Sequence, residues 1–140
     1  LGSLGWTATG WPGVIYADQV GNDAFFYSPA GINFLGGAND QVVVRFYIQS
    51  SSTTSHDMQL FWTTASDGTW PASKSCAQVN YTLANDTWGI LTLPVGANPN
   101  WSSDFITQLR LDVDNNKGAN NPRWIIDYVA ISHATSSFLP

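Results

Sequence analysis

The chain has 140 residues, enough for one domain with a substantial core, and its net charge is −5 with only 11% charged residues. Its five cations, Arg45, Lys74, Arg110, Lys117 and Arg123, are scattered rather than clustered, which argues against a phosphate-neutralising nucleic-acid surface. No run of about 18 apolar residues occurs, so no helical membrane span is expected.

In chain order, AFFYS (24–28) is the first predicted strand, stopped by Ser28-Pro29. GINFLGGAND reads as a connector. QVVVRFYIQ (41–49) is the clearest strand: Val42, Val44, Phe46 and Ile48 share one face, and Gln41, Val43, Arg45, Tyr47 and Gln49 the other. SSSTTSHD reads as a linker, MQLFWTT (58–64) as a strand, and SDGTWPASKS as a loop on its Asp-Gly and Trp-Pro steps. AQVNYTL, WGILTLPV, FITQLRLDV and RWIIDYVAIS complete the series. About eight strands at roughly ten-residue spacing, with no helical period, predict an all-β antiparallel β-sandwich of the jelly-roll type. It would span residues 1–134, with 135–140 as a linker or tail. All ten acids are Asp and none is Glu, which removes a good helix former and agrees with that class. The opening LGSLGW lacks signal-peptide architecture, so the chain is expected to be mature or part of something larger.

The stretch LDVDNNKGANNPRWIIDYVAIS (111–132) invites three readings. As a helix-loop-helix calcium loop it fails, because Lys117 stands where Gly belongs and Arg123 where Glu belongs. As a glycosidase acid and base, Asp112 and Asp127 would need two strands that pair, and no second signal supports them. The plain reading is a hairpin with an Asn/Gly-rich turn. Asp127 interrupts an apolar strand and so needs a partner, with a cation or Arg110 as candidates. Cys76 is alone and reads as a small core residue, and His56 and His133 have no spacing that suggests zinc or a catalytic base. Sequons at Asn80, Asn85 and Asn100 carry meaning only in a eukaryotic secretory setting, and three matches are expected by chance in a chain this rich in Asn, Ser and Thr.

Seven Trp are more than a small core holds. Aromatic rings stack on the C–H faces of sugars while amides, carboxylates and guanidinium groups meet the hydroxyls, so a rigid sheet with exposed rings and polar neighbours suits a glycan. Trp6, Trp88 and Trp101 are expected to pack in the core. Trp70 and Trp11 fall in loops, where exposing an indole without purpose is costly. Trp62 and Trp124 stand open between core and site; by alternation Trp124 shares a face with Ile126 and Tyr128, opposite Asp127. Arg45, with Tyr47 and Gln49, suits a sugar groove, though Arg45 serves equally well as the ion-pair partner of an Asp. The candidate carbohydrate-binding set is Trp70, Trp124, Trp62, Tyr47, Trp11, Arg45, Arg110 and Gln49.

GWTATG, then SPAGINFLGGANDQVVVRFYIQ with MQLFWTT, and finally Trp101 with FITQLRLDV and IIDYVAIS together resemble noncatalytic β-sandwich carbohydrate-binding modules over nearly the whole chain. The resemblance implies a secreted domain, without catalysis of its own, covalently linked to a polysaccharide-degrading enzyme. Its partner would be a neutral β-linked polysaccharide such as a β-glucan. It also implies a structural calcium held by Asp127, with Asp18 or Asp23 standing where related modules use Glu, together with backbone carbonyls. An adhesion or phage-tail receptor-binding domain is the alternative, and a small glycan-cleaving domain a weaker third.

Overall fold

The computed structural model describes residues 14–115 and 122–132. Nine strands form there: β1 (Ile15–Asp18), β2 (Ala24–Tyr27), β3 (Phe34–Leu35), β4 (Gln41–Gln49), β5 (Ser55–Thr64), β6 (Val79–Thr82), β7 (Thr87–Pro94), β8 (Phe105–Val113) and β9 (Arg123–Ser132). One short helix, α1 (Pro99–Ser102), precedes β8. Every pairing is antiparallel. The first sheet runs β1-β9-β4-β7 and the second β2-β8-β5-β6, with β3 on β8 beyond β2. The expected sandwich is therefore the observed fold.

Alternation builds it. Along β4 the even positions Val42, Val44, Phe46 and Ile48 are buried, while Val43, Arg45, Tyr47 and Gln49 face outward. From the second sheet, Met58, Leu60, Trp62, Leu109, Leu111 and Val113 meet them. Three indoles occupy the interior, and each N–H is satisfied, as burial demands. Trp62 Nε1 donates to the Asn100 carbonyl at 3.4 Å, Trp101 Nε1 to the Asn39 carbonyl at 2.6 Å, and Trp124 Nε1 to Gln19 Oε1 at 3.1 Å.

Four expectations from the sequence are corrected here. The stretch read as a β8–β9 hairpin is a crossover, since β8 belongs to the second sheet and β9 to the first. Asp112 and Asp127 are thus on different sheets and form no acid–base pair. SSSTTSHD is a linker only in part: β5 starts at Ser55, and His56 is a buried strand residue whose Nδ1 donates to the Asp114 carboxylate at 2.8 Å. Trp88 is 37% exposed rather than core. Finally, strict alternation in β9 fails at a bulge between Arg45 and Phe46 of its partner: Phe46 faces Ile126 and Arg45 faces Tyr128, with Asp127 taken up in between. Trp124 and Ile126 stay inside, and Tyr128 is turned out, 41% exposed.

Helix α1 carries Trp101 into the core beneath the Gly36–Ala38 turn. There the backbone approaches so closely that a Cβ on Gly36 would lie 1.8 Å from the Trp101 carbonyl oxygen, whereas one on Gly68 would meet nothing within 4 Å. Gly36→Ala should therefore cost about 3 kcal/mol or more, while Gly68→Ala should stay within roughly 0.5 kcal/mol. Denaturant melts of the two variants check this, and equal midpoints would contradict the packing.

Candidate functional site

The outer face of the second sheet gathers aromatic and polar side chains in register. Tyr27 of β2 lies opposite Arg110 of β8, which lies opposite Phe61 of β5. In the next row stand Phe25, Asp112 and Gln59. Arg110 is the centre of this face. Its Nε and Nη2 donate to the two oxygens of Asp112, each at 2.7 Å, and Nη2 reaches Asp23 at 3.4 Å. Its guanidinium carbon sits 4.5 Å from the Phe25 ring centroid and 5.1 Å from that of Phe61, so the plane is held by stacking as well as by ions. Burial pushes the Asp112 carboxyl above its ordinary range, and the Arg110 hydrogen bonds offset only part of that.

Neutral amides surround this pair. Gln59 Nε2 donates to the Cys76 carbonyl at 2.9 Å and Gln108 Nε2 to the Ser28 carbonyl at 3.0 Å, which fixes both planes. Thr63 and Thr107 share a hydroxyl hydrogen bond of 2.9 Å on the neighbouring stretch of β5 and β8.

The loop after β5 brings Trp70 back onto this face, where its ring lies 5.4 Å from that of Tyr27. Asp67 pins the loop. Its Oδ1 accepts from the Thr69 hydroxyl at 2.7 Å and the Thr69 N–H at 2.9 Å, and its Oδ2 lies 3.0 Å from Lys74 Nζ, which also donates to the Asp67 carbonyl at 2.7 Å. Lys74 is only 4% exposed, so its charge needs these partners. The Thr69 hydroxyl, followed by Lys74, holds the Asp67 carboxyl well down, at about 2.

No protein-family model matches the chain, and no curated protein matches it in sequence. Solved structures do. The chain is similar to the glycoside hydrolase domain of Endo-D from Streptococcus pneumoniae R6, with a TM-score of 0.57 and 13% identity, covering 88% of this chain and 18% of that one. It is similar to CBM28, a carbohydrate-binding module specific for non-crystalline cellulose, with a TM-score of 0.53 and 15% identity over 85% of this chain and 66% of that one. A third likeness is the K1 cleaved adhesin domain of Lys-gingipain from Porphyromonas gingivalis W83, with a TM-score of 0.52 and 13% identity, covering 86% and 73%. What is shared is the sandwich. The chain spans less than a fifth of the first of these and about two thirds of the second.

The expected site residues divide among three places. Trp70 and Arg110 come together on the second sheet, and Asp23 joins them as an ion-pair partner. Arg45, Tyr47 and Gln49 share the outer face of the first sheet with Asp127 and Asp18. Trp62 and Trp124 are 0% exposed and cannot reach a ligand, which removes them from the site: their inward strand positions and hydrogen-bonded N–H groups make them core. Trp11 lies outside the described residues. The expected calcium ligands are not gathered. Asp127 pairs with Arg45 rather than Arg110, Asp18 receives Arg123 at 2.6 Å, and Asp23, just before β2, receives Arg110 of the neighbouring β8 in the second sheet. Among the described residues no three His, Cys or acidic side chains are grouped, and Asp127, Asp18 and Asp23 each face an arginine.

Sequence reasoning missed Tyr27, Phe25, Phe61, Asp112, Gln59 and Gln108 as members of the face. The signal for three of the face's residues was present, because alternation in FITQLRLDV puts Gln108, Arg110 and Asp112 on one side. Strand order, which brings β2 and β5 to either side of β8, was not readable.

The pinned loop has a pH signature. The Asp67 carboxyl is lowered on folding, so its contribution is present above the ordinary Asp range and is lost as pH falls towards about 2. Asp18, lowered by the Arg123 hydrogen bond, and Asp104, lowered by the Ser66 hydroxyl, have the same sign. Asp112, raised, has the opposite sign. Thermal melts should therefore show Tm falling below about pH 4, with a shallower fall in Asp67→Ala. An identical fall in both proteins would show that Asp67 does not hold the loop.

Proposed function

We propose that this chain is a noncatalytic carbohydrate-binding module whose ligand, a neutral β-linked polysaccharide of the β-glucan kind, lies along the outer face of β2-β8-β5. The observation that carries the reading is the meeting of Trp70 with Tyr27 beside Arg110: two rings for the C–H faces of a sugar, next to planar groups for its hydroxyls. Arg110 faces two acids, Asp112 and Asp23, so no positive charge is left over, and the chain as a whole is anionic, which favours an uncharged glycan over a uronate. Gln59 and Gln108, with amide planes already fixed, add hydrogen-bonding oxygens at little further entropic cost.

In this reading the domain is secreted and covalently attached to a polysaccharide-degrading enzyme, which it holds at high effective concentration on the substrate. The likeness in fold to a cellulose-specific module and to a glycoside hydrolase domain supports this reading. The opposite placement of Asp112 and Asp127, the carboxylates that would have served as acid and base, supports the noncatalytic part. The rival is an adhesion domain, which predicts a trimer or larger assembly in solution.

Affinity gels containing soluble polysaccharides test the reading. Wild-type protein should be retarded by at least one neutral β-glucan, and Trp70→Ala should weaken that binding about tenfold, or roughly 1.4 kcal/mol, with Tm nearly unchanged. Full retardation of Trp70→Ala would remove the groove from consideration. Arg110→Ala should lose binding and stability together, by about 3 kcal/mol, because it strands the buried Asp112 carboxylate.

A further inference from the structure

The outer face of the first sheet has a second arrangement of the same chemical kind, separate from the groove. Register places Trp88 of β7 opposite Tyr47 of β4, Tyr47 opposite Ile125 of β9, and Ile125 opposite Tyr16 of β1. With strands about 4.8 Å apart, this row runs roughly 14 Å straight across the sheet. The Tyr47 and Trp88 rings are 5.4 Å apart, and Trp88 is more than a third exposed.

Each side of the row is bordered by an arginine already paired with an aspartate. On one side Arg45 lies 4.1 Å above the Trp88 ring and pairs with Asp127, with Tyr128 and Ile90 as neighbours. On the other, Arg123 lies 5.0 Å from the Tyr16 ring and donates to both oxygens of Asp18, at 2.6 and 3.0 Å, with Gln49 opposite it. Three rings, Trp88, Tyr47 and Tyr16, with Ile125 only 5% exposed between the two tyrosines, stand between planar, charge-balanced donors and acceptors, and the arrangement offers no net charge. It presents fork-shaped donors and carboxylate oxygens at two levels beside an apolar strip.

That chemistry fits a neutral polyol chain better than a protein. A stable protein interface needs about 800 Å² per partner with an apolar centre depleted of charge, and here one Arg–Asp pair borders the strip on each side. We infer that the outer face of β1-β9-β4-β7 is a second binding platform for a neutral pyranose polymer, so that one domain holds two chains, one on each side of the sandwich. The platform shares its ligand class with the groove but none of its residues. Two faces pointing in opposite directions cannot serve one chain together, so the added effect is cross-linking of glycan chains.

Calorimetry with cellohexaose and xylohexaose on the wild type, Trp70→Ala, Trp88→Ala and the double variant tests this. The expected stoichiometry is about two for the wild type, about one for each single variant and none for the double. Barley β-glucan should be precipitated by the wild type and by neither single variant. Stoichiometry of one with Trp88→Ala indistinguishable from wild type overturns the platform and leaves the groove. Binding abolished by Trp88→Ala and untouched by Trp70→Ala overturns the groove and leaves the platform. No heat from either hexaose with the wild type overturns both. A wild-type dimer in sedimentation that Trp88→Ala dissolves would assign the face to a second copy and overturn the proposal. Tyr16→Ala, at the far end of the row, repeats the test if Trp88→Ala lowers Tm substantially.

Discussion

Three indoles between two sheets set the constraint on which the rest of this molecule depends. An indole buried at Trp62, Trp101 or Trp124 brings a large apolar area and one N–H that must find an acceptor. The acceptors lie in three connecting segments: Asn100 of α1, Asn39 after the Gly36–Ala38 turn, and Gln19 after β1. The core therefore organises the ends of the sandwich as well as its middle. The edge-to-face contact of Trp62 and Trp101, with centroids 5.0 Å apart, ties the α1 end to β5. Gly36 is the local consequence, since only a residue without a Cβ lets that turn sit on the Trp101 backbone. With three indoles placed inside, Trp70 and Trp88 are the tryptophans among the described residues left for the two outer faces.

Much of this was legible in the sequence, and the boundary of what was legible has a physical cause. QVVVRFYIQ, FITQLRLDV and RWIIDYVAIS are strands over the residues that alternation and turn signals marked. Along β4 and β8 one face stays buried over most of the strand and the period-2 signal is strong, whereas β9 is marked by its length and β-branched run. The short edge strands β1 and β3 carry too few residues to show a period. Pairing partners are long-range, and nothing local distinguishes a hairpin from a crossover to the opposite sheet, which is why the β8–β9 connection was misread. The bulge opposite Arg45 and Phe46 inverted the expected side of Tyr128 for the same reason: an extra residue taken up in one strand leaves no mark in composition.

The candidate site was legible in residue type and not in assembly. Loop position marked Trp70 as an indole with a purpose, and it does lie on an outer face. Trp62 and Trp124 could not be separated from it by type, because an indole on a strand belongs to core or surface according to which way that position points. Arg45 illustrates the complementary case. Both of its readings, groove residue and ion-pair partner, turn out compatible, since the pair with Asp127 is itself on the outer face beside Tyr47 and Trp88.

The distribution of charge follows a single rule across both faces. Arg45, Arg110 and Arg123 each lie over an aromatic ring and each meet an Asp. Stacking fixes the guanidinium plane and the carboxylate cancels its charge, so what remains at the surface is a rigid set of hydrogen-bonding directions with little long-range field. A glutamate would reach further and lose more rotamer freedom in making the same contact, which gives a physical sense to an acid inventory made entirely of Asp. Such surfaces discriminate by geometry rather than by charge. A ligand of many hydroxyls and no ions is the one for which that discrimination is useful, because its binding comes from matching directions and apolar strips rather than from attraction at a distance.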